Sequence, residues 1–172
     1  MNEGKRFEEN WKKSIPNDIY YKRLNDNASS FTNSNAKYSV KNPYDCIVFD
    51  GKKLLCLELK STANNRMSFE IKANSAKYAM IHYHQIEGLR NANKYENVYA
   101  GFVFNFRNDE KNTEITYYQS IENFDNMVNN LNKYSFNIID LLKYDPIKID
   151  SEKMRVNYRY DISKFLDVLG GK

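Results

Sequence analysis

The sequence lacks an apolar run long enough to cross a membrane, and it shows no signal peptide. We therefore expect a cytoplasmic protein with no membrane partner. Cysteine is scarce, and the two that occur, Cys46 and Cys56, come without the further ligands of a zinc site, so both are predicted to be reduced core thiols. Repeats and linkers are also lacking. The chain is therefore predicted to form one domain, residues 1–172, large enough for a real core.

A strong excess of one charge is lacking as well. The sequence has 26 Lys and Arg against 22 Asp and Glu, a formal net charge of +4, which permits a nucleic acid partner without requiring one. Hydrophobic residues make up 41% of the chain and aromatic residues 15%. The function must therefore be argued from local patterns and not from bulk charge.

The most informative pattern is an apolar run, a turn signal and a second apolar run between residues 45 and 60. It predicts a β-hairpin. With Gly51-Lys52 as the two-residue loop, Asp45 faces Glu58, with β-carbons roughly 5 Å apart. A competing Asp50-Gly51 loop would place Cys56 opposite Asp45 instead.

Glu58 and Lys60 are two residues apart and are expected on one face of the second strand, beside Asp45. Two facing carboxylates repel each other unless a cation lies between them, and oxygen ligands with open positions suit Mg²⁺, for which Mn²⁺ can substitute. A lysine beside the ion can orient water or stabilise charge on phosphorus. The alternative is an ordinary surface hairpin that ends in a Glu-Lys pair.

Around this hairpin the pattern predicts an α/β (or α+β) fold, with a mixed central β-sheet flanked by helices. The first helix carries Glu8 at the border of its apolar stripe, either as a site residue or as a solvated charge. Residues 61–81 are not assigned, and residues 147–172 are predicted to be a basic segment that ends in a helix. Helices are predicted at 3–14, 82–94, 120–131, 136–142 and 161–169, and further strands at 19–24, 98–106 and 113–119.

Residues 25–41 are rich in Asn and Ser and nearly free of aliphatic side chains, so we expect a mobile loop that helps bind the substrate. The basic residues beside and within it are candidate DNA contacts: Lys22, Arg23, Lys37 and Lys41.

The sequence resembles the PD-(D/E)xK nuclease superfamily. The resemblance rests on four elements that follow one another along the chain: Glu8 in GKRFEENW, Asp45, Glu58-Leu59-Lys60, and a helix that begins with HQIEGL. Within this superfamily the chain looks most like the RecU-type Holliday junction resolvases and their phage relatives. Two features depart from that pattern: the family's Pro-Asp dipeptide is Tyr44-Asp45 here, and the family's long stalk is matched only by the short segment 25–41.

The resemblance implies a restriction-endonuclease-like fold and a Mg²⁺-dependent, homodimeric endonuclease that cleaves four-way DNA junctions in a bacterial or phage-infected cell. Restriction or repair nucleases of linear or forked DNA, and a non-catalytic DNA-binding protein, are the alternatives. The resemblance also implies residue roles: Asp45, Glu58 and the Leu59 carbonyl as metal ligands, Lys60 as catalytic lysine, Glu8 as a further acidic residue, and Gln85 facing the scissile phosphate.

The two histidines, His82 and His84, flank the start of that helix. As i, i+2 neighbours on a helix they are predicted not to share a face. A metal-binding pair is therefore not expected, while contact with phosphate stays open.

Overall fold

The structure is a computed structural model that describes residues 3–24, 42–76 and 78–171. The α-helices in these ranges are α1 (Glu3–Ser14), α2 (Tyr83–Ala92), α3 (Ile121–Asn130), α4 (Ile138–Leu141) and α5 (Ile162–Gly170), and a 3-10 helix, Leu142–Tyr144, follows α4. The strands are β1 (Tyr20–Arg23), β2 (Cys46–Phe49), β3 (Leu54–Thr62), β4 (Arg66–Ser68), β5 (Val98–Asn108), β6 (Thr113–Ser120), β7 (Ser135–Asn137), β8 (Ile147–Ile149), β9 (Ser151–Lys153) and β10 (Tyr158–Tyr160).

A six-stranded mixed sheet forms the centre of the molecule, in the order β1-β2-β3-β5-β6-β8. β3 and β5 run parallel, and the other neighbouring pairs are antiparallel. Two small two-stranded sheets, β4 with β7 and β9 with β10, lie outside it. The predicted fold class, a mixed sheet flanked by helices, is confirmed.

The β2–β3 hairpin has the register that the Gly51-Lys52 loop requires, with Cys46 opposite Leu57. Gly51 has φ of +92°, a conformation that L-residues with side chains rarely adopt. The Asp50 carboxylate accepts the two N–H groups that follow the glycine, at 2.9 and 2.7 Å. This turn chemistry selects the predicted loop over its competitor.

Alternation along β3 and β5 divides the core between the two faces of the sheet. One face packs against α1 and α5, around Trp11, Leu57, Val103 and Phe165. The other face packs against α2 and α3, where the aromatic side chains Phe69, Phe102, Phe104, Phe124 and Phe136 cluster. The two cysteines lie one on each side, as free buried thiols.

Side-chain caps start two of the predicted helices. Ser120 Oγ accepts the Asn123 N–H at 3.2 Å, which confirms the predicted start of α3. Asp161 accepts the Lys164 N–H at 3.0 Å and starts α5.

The C-terminal part contains more structure than the sequence pattern indicated. β8 joins the central sheet beside β6, and β9 and β10 form a hairpin before α5. The helix predicted at 136–142 starts only at Ile138, because its first two residues belong to strand β7, which pairs with β4. β3 also continues past Lys60, to Thr62. Each strand missed is three residues long, too short for periodicity to reveal.

Among the described residues, none of the helices is long and apolar enough to span a membrane. The predicted loop at 25–41, with Lys37 and Lys41, lies outside the described residues.

Candidate active site

The candidate site begins where β2 leaves the hairpin. The last paired residues are Cys46 and Leu57. Just before them, Asp45 donates its N–H to the Leu57 carbonyl, and its carboxylate accepts the Leu59 N–H at 2.8 Å. Because N–H and C=O of a residue in an extended strand point to the same side, the Leu59 carbonyl lies on this edge of β3 as well.

Glu58 is the buried centre of the site, with a residue exposure of 2%. Burial raises its pKa to about 8; Lys60 opposes the shift, and the charges of Asp45 and Glu8 add to it. Glu58 Oε1 contacts Lys60 Nζ at 2.8 Å, so the two side chains share one face of β3, as the spacing predicts. An ionised Glu58 is therefore costly at this position unless a positive charge lies beside it.

Gln85 approaches Glu58 from α2. Its amide nitrogen donates to Glu58 Oε1 at 2.5 Å, and its amide oxygen accepts the main-chain N–H of His82 at 2.9 Å. Gln85 is therefore the third residue of the helix reaching back to its N-cap, which fixes the direction in which its amide points.

The same helix also contacts the chain just ahead of Asp45. A Cβ added to Gly88 would lie 2.5 Å from Pro43 Cβ and 2.6 Å from the Pro43 carbonyl oxygen. Only a glycine allows this close packing. One turn of α2 thus supports both carboxylates, Glu58 through Gln85 and Asp45 through Gly88 and Pro43.

Glu8 reaches the site from α1, on the opposite face of the sheet. Burial raises its pKa, Asp45 raises it further, and Arg23 and Lys60 lower it. Its carboxylate forms an ion pair with Arg23. Glu8 is therefore mostly buried and paired with Arg23 instead of lying free in solvent, and its role in the site stays a prediction.

These side chains line one open cavity of about 490 Å³. Its wall contains all five predicted catalytic residues and the predicted main-chain ligand, together with four residues that the sequence pattern did not assign to it: Glu8, Asp45, Glu58, Leu59, Lys60 and Gln85, with Asn42, Tyr44, His82 and His84.

The predicted DNA contacts do not behave alike. Lys22 is exposed on the edge strand β1. Arg23 is half-exposed, and its guanidinium is paired with Glu8. Lys37 and Lys41 lie outside the described residues.

The two histidines differ from the prediction as well. Their rings stack, with centroids 5.7 Å apart and an interplanar angle of 17°. The helical spacing rule does not apply, because His82 is the N-cap of α2 with extended φ and ψ of −90° and 149°. A His-x-His pair at a helix start, as opposed to within a helix, is the signal that could have revealed this.

The donor set fits a hard divalent cation. The described residues contain no cluster of three or more His, Cys, Asp or Glu side chains arranged to hold a metal ion. What they offer is two carboxylates, from Asp45 and Glu58, and the Leu59 carbonyl. Mg²⁺ prefers a few protein oxygens with positions left for water and phosphate. Because the pKa of Glu58 is raised, a cation bound there would have to displace its proton at neutral pH.

No protein-family model matches the sequence. A structure of Hjc, a Holliday junction resolvase from the archaeal hyperthermophile Archaeoglobus fulgidus, superposes with a TM-score of 0.48 and 12% identity, over 84% of this chain and 95% of that one. The SPbeta prophage-derived uncharacterized protein YotM of Bacillus subtilis (strain 168) is 32% identical over 173 residues, which is 95% of this chain and 84% of that protein. With a relative at this identity over nearly its whole length, the chain belongs to the family of YotM.

Proposed function

We propose that the protein is a Mg²⁺-dependent DNA endonuclease that hydrolyses phosphodiester bonds. One observation carries the proposal: Asp45, Glu58 and Lys60 converge in a single open cavity, and Glu8 and Gln85 reach it from opposite faces of the sheet. A protein that only bound DNA would gain nothing from carboxylates that repel phosphate.

Asp45, Glu58 and the Leu59 carbonyl would hold the cation, with Mn²⁺ as a substitute for Mg²⁺. When bound, the cation supplies Lewis acidity and a more acidic water. The protein's own groups do the rest. Gln85 holds the Glu58 carboxylate in place, Lys60 offers its ammonium to the attacking water or to negative charge on the phosphate, and Glu8 adds a carboxylate that can accept a proton.

The proposed substrate is a four-way DNA junction, and the proposed assembly is a homodimer in the cytoplasm. The ordered resemblance of the site residues to RecU-type resolvases supports this choice, and two symmetric cuts require two sites related by a two-fold axis. Lys22, Arg23, Lys37 and Lys41 are the proposed DNA contacts. Linear or forked DNA is the alternative substrate.

The test compares a labelled four-way junction, a Y-fork and a linear duplex, each with Mg²⁺, with Mn²⁺ and with excess chelator. We expect metal-dependent cleavage, with the junction preferred, and none by the matched variant Asp45→Asn. Equal cleavage of linear duplex would favour a restriction or repair role. Binding without cleavage of any substrate would leave a non-catalytic DNA-binding protein, and full cleavage in chelator would end the metal hypothesis.

A further inference from the structure

The stacked imidazoles of His82 and His84 form a feature of the cavity that the proposed hydrolysis leaves unused. Both rings line the same cavity as Asp45, Glu58 and Lys60. The extended backbone of His82 turns its ring back over the first turn of α2, beside that of His84. Two imidazoles are thus presented together at the cavity wall.

A buried carboxylate lies behind them. Glu70 has a side-chain exposure of 8% and lies 3.6 Å from His82 Nδ1. The same Glu70 oxygen accepts the Tyr83 N–H at 2.8 Å, which ties it to the start of α2. The hydrogen bond from Tyr83 is the main cause that holds the pKa of Glu70 below its usual range, and the charges of His82 and His84 add to it. Glu70 is therefore an ordered carboxylate beside His82 Nδ1, and the Nε2 side of the ring is turned away from it.

The rest of the cavity wall offers a phosphate little unpaired positive charge. The carboxylates of Glu8 and Asp45 repel a phosphate when no cation is bound, and the Lys60 ammonium is already paired with Glu58 at 2.8 Å. Both ends of the Gln85 amide are engaged. The two imidazoles can carry positive charge at this wall. The carboxylate beside them, Glu70, is not one of the acidic residues that line the cavity.

We propose that His82 and His84, held by Glu70, form a phosphate-binding arm that grips a backbone phosphate of the DNA strand beside the one to be cut. The inference rests on the proposed function for its substrate class, a nucleic acid phosphodiester. Its role is positioning: the arm holds the strand so that the neighbouring phosphate lies over Asp45 and Glu58. Imidazole N–H groups donating to phosphate oxygens give the charge-assisted hydrogen bonds that this requires.

The chain contains two histidines in all, so a proton–carbon NMR spectrum of the imidazoles shows this arm and nothing else. The probes are a short DNA duplex in Ca²⁺, chosen to limit cleavage, and inorganic phosphate alone. Both histidine signals should shift and saturate with DNA, and phosphate should move the same signals at much higher concentration. Signals that stay unmoved at saturating DNA would overturn the proposal.

Two isosteric substitutions separate contact from fold. His82→Asn keeps a donor where Nδ1 faces Glu70 and removes Nε2, whereas His82→Gln keeps a donor near the Nε2 position. We expect melting temperatures close to that of the unmodified protein for both. Duplex affinity in Ca²⁺ should fall roughly five- to tenfold for His82→Asn, as for loss of one charge-assisted contact, and less for His82→Gln.

The matched control is Lys164→Gln. Lys164 lies on α5, is paired with Asp150 and is not part of the cavity wall. It should bind DNA within about twofold of the unmodified protein. Equal affinity of His82→Asn, His84→Asn and the unmodified protein would overturn the arm.

The outcomes also separate this inference from the proposed function. DNA cleavage with unmoved histidine signals would refute the phosphate-binding arm and leave the proposed nuclease activity standing. Shifted signals, with weaker binding by His82→Asn but no cleavage of any DNA in Mg²⁺ or Mn²⁺, would sink hydrolysis and leave the arm. If the protein binds no DNA and phosphate moves neither signal, the arm falls.

Discussion

The buried carboxyl of Glu58 should make the metal-free protein less stable as the pH rises. Its pKa is raised from 4.5 to about 8 in the folded protein. Between these values the folded state holds a proton that the unfolded chain has released, so the contribution of Glu58 to stability is highest below pH 4.5 and falls as the pH rises from there to about 8. With 1.36 kcal/mol for each pKa unit, the loss is about 1 kcal/mol at pH 5 and about 4 kcal/mol near pH 8.

The perturbation is Glu58→Gln, which removes the titrating group and keeps an oxygen for the Gln85 amide. The variant also loses the ion pair with Lys60, so the absolute difference in stability is less informative than its change with pH. Relative to the unmodified protein, the variant should gain roughly 3 kcal/mol between pH 5 and pH 8.

The assay is urea unfolding in chelator at pH 5, 6, 7 and 8, with both proteins measured side by side. Asp140→Asn is the control, because the hydrogen bond from Lys133 holds the pKa of Asp140 below 3.8, outside this window. Its difference from the unmodified protein should stay constant. A constant difference for Glu58→Gln as well would refute the reasoning, since it would mean that Glu58 does not carry a raised pKa.

Three other predictions test the site. Gly88→Ala should destabilise the protein in urea and raise the Mg²⁺ concentration needed for cleavage, because a Cβ 2.5 Å from Pro43 outweighs the gain of about 1 kcal/mol in helix propensity; a more stable variant would contradict this packing. Lys60→Ala and Asp45→Asn should lose cleavage but keep DNA affinity, measured by anisotropy in Ca²⁺, and a parallel loss of fold would return both residues to a structural role. Shortening the segment 25–41 with a Gly-Ser bridge that keeps Lys22 and Lys41 should leave the melting temperature nearly unchanged and lower the preference for four-way junctions at least roughly tenfold, about 1.4 kcal/mol; full preference would make this segment only a connector.

Local chemistry made the hairpin predictable. Asp50-Gly51 combines a side chain that caps the turn with a residue that tolerates φ of +92°, and together they set the register that brings Asp45 next to β3. The apolar run of β5 and the Ser120 cap are equally local signals.

The rest of the site depends on contacts between distant parts of the chain. Glu70 is 12 residues before His82 in a segment with no periodic pattern, and it reaches α2 because Phe69 bridges to Ile81. Gly88 and Pro43 are 45 positions apart in the sequence, and no local sequence pattern around either residue indicates their close contact. The pairing of the histidine rings required the backbone angles of the N-cap, which residue spacing does not determine.

The same electrostatics predict how a cation should act on the fold. The proposed ligands Asp45 and Glu58 come together only when the β2–β3 hairpin is in place, so a cation that they bind stabilises the folded state over the unfolded chain. The stabilisation is about 2.7 kcal/mol at one hundred times the dissociation constant. Binding requires an ionised Glu58, so the rise in melting temperature with Mg²⁺ should be larger at pH 8 than at pH 5. Thermal unfolding with and without Mg²⁺ measures this, and Glu58→Gln should show little rise at either pH. An equal rise in the variant would place the cation elsewhere.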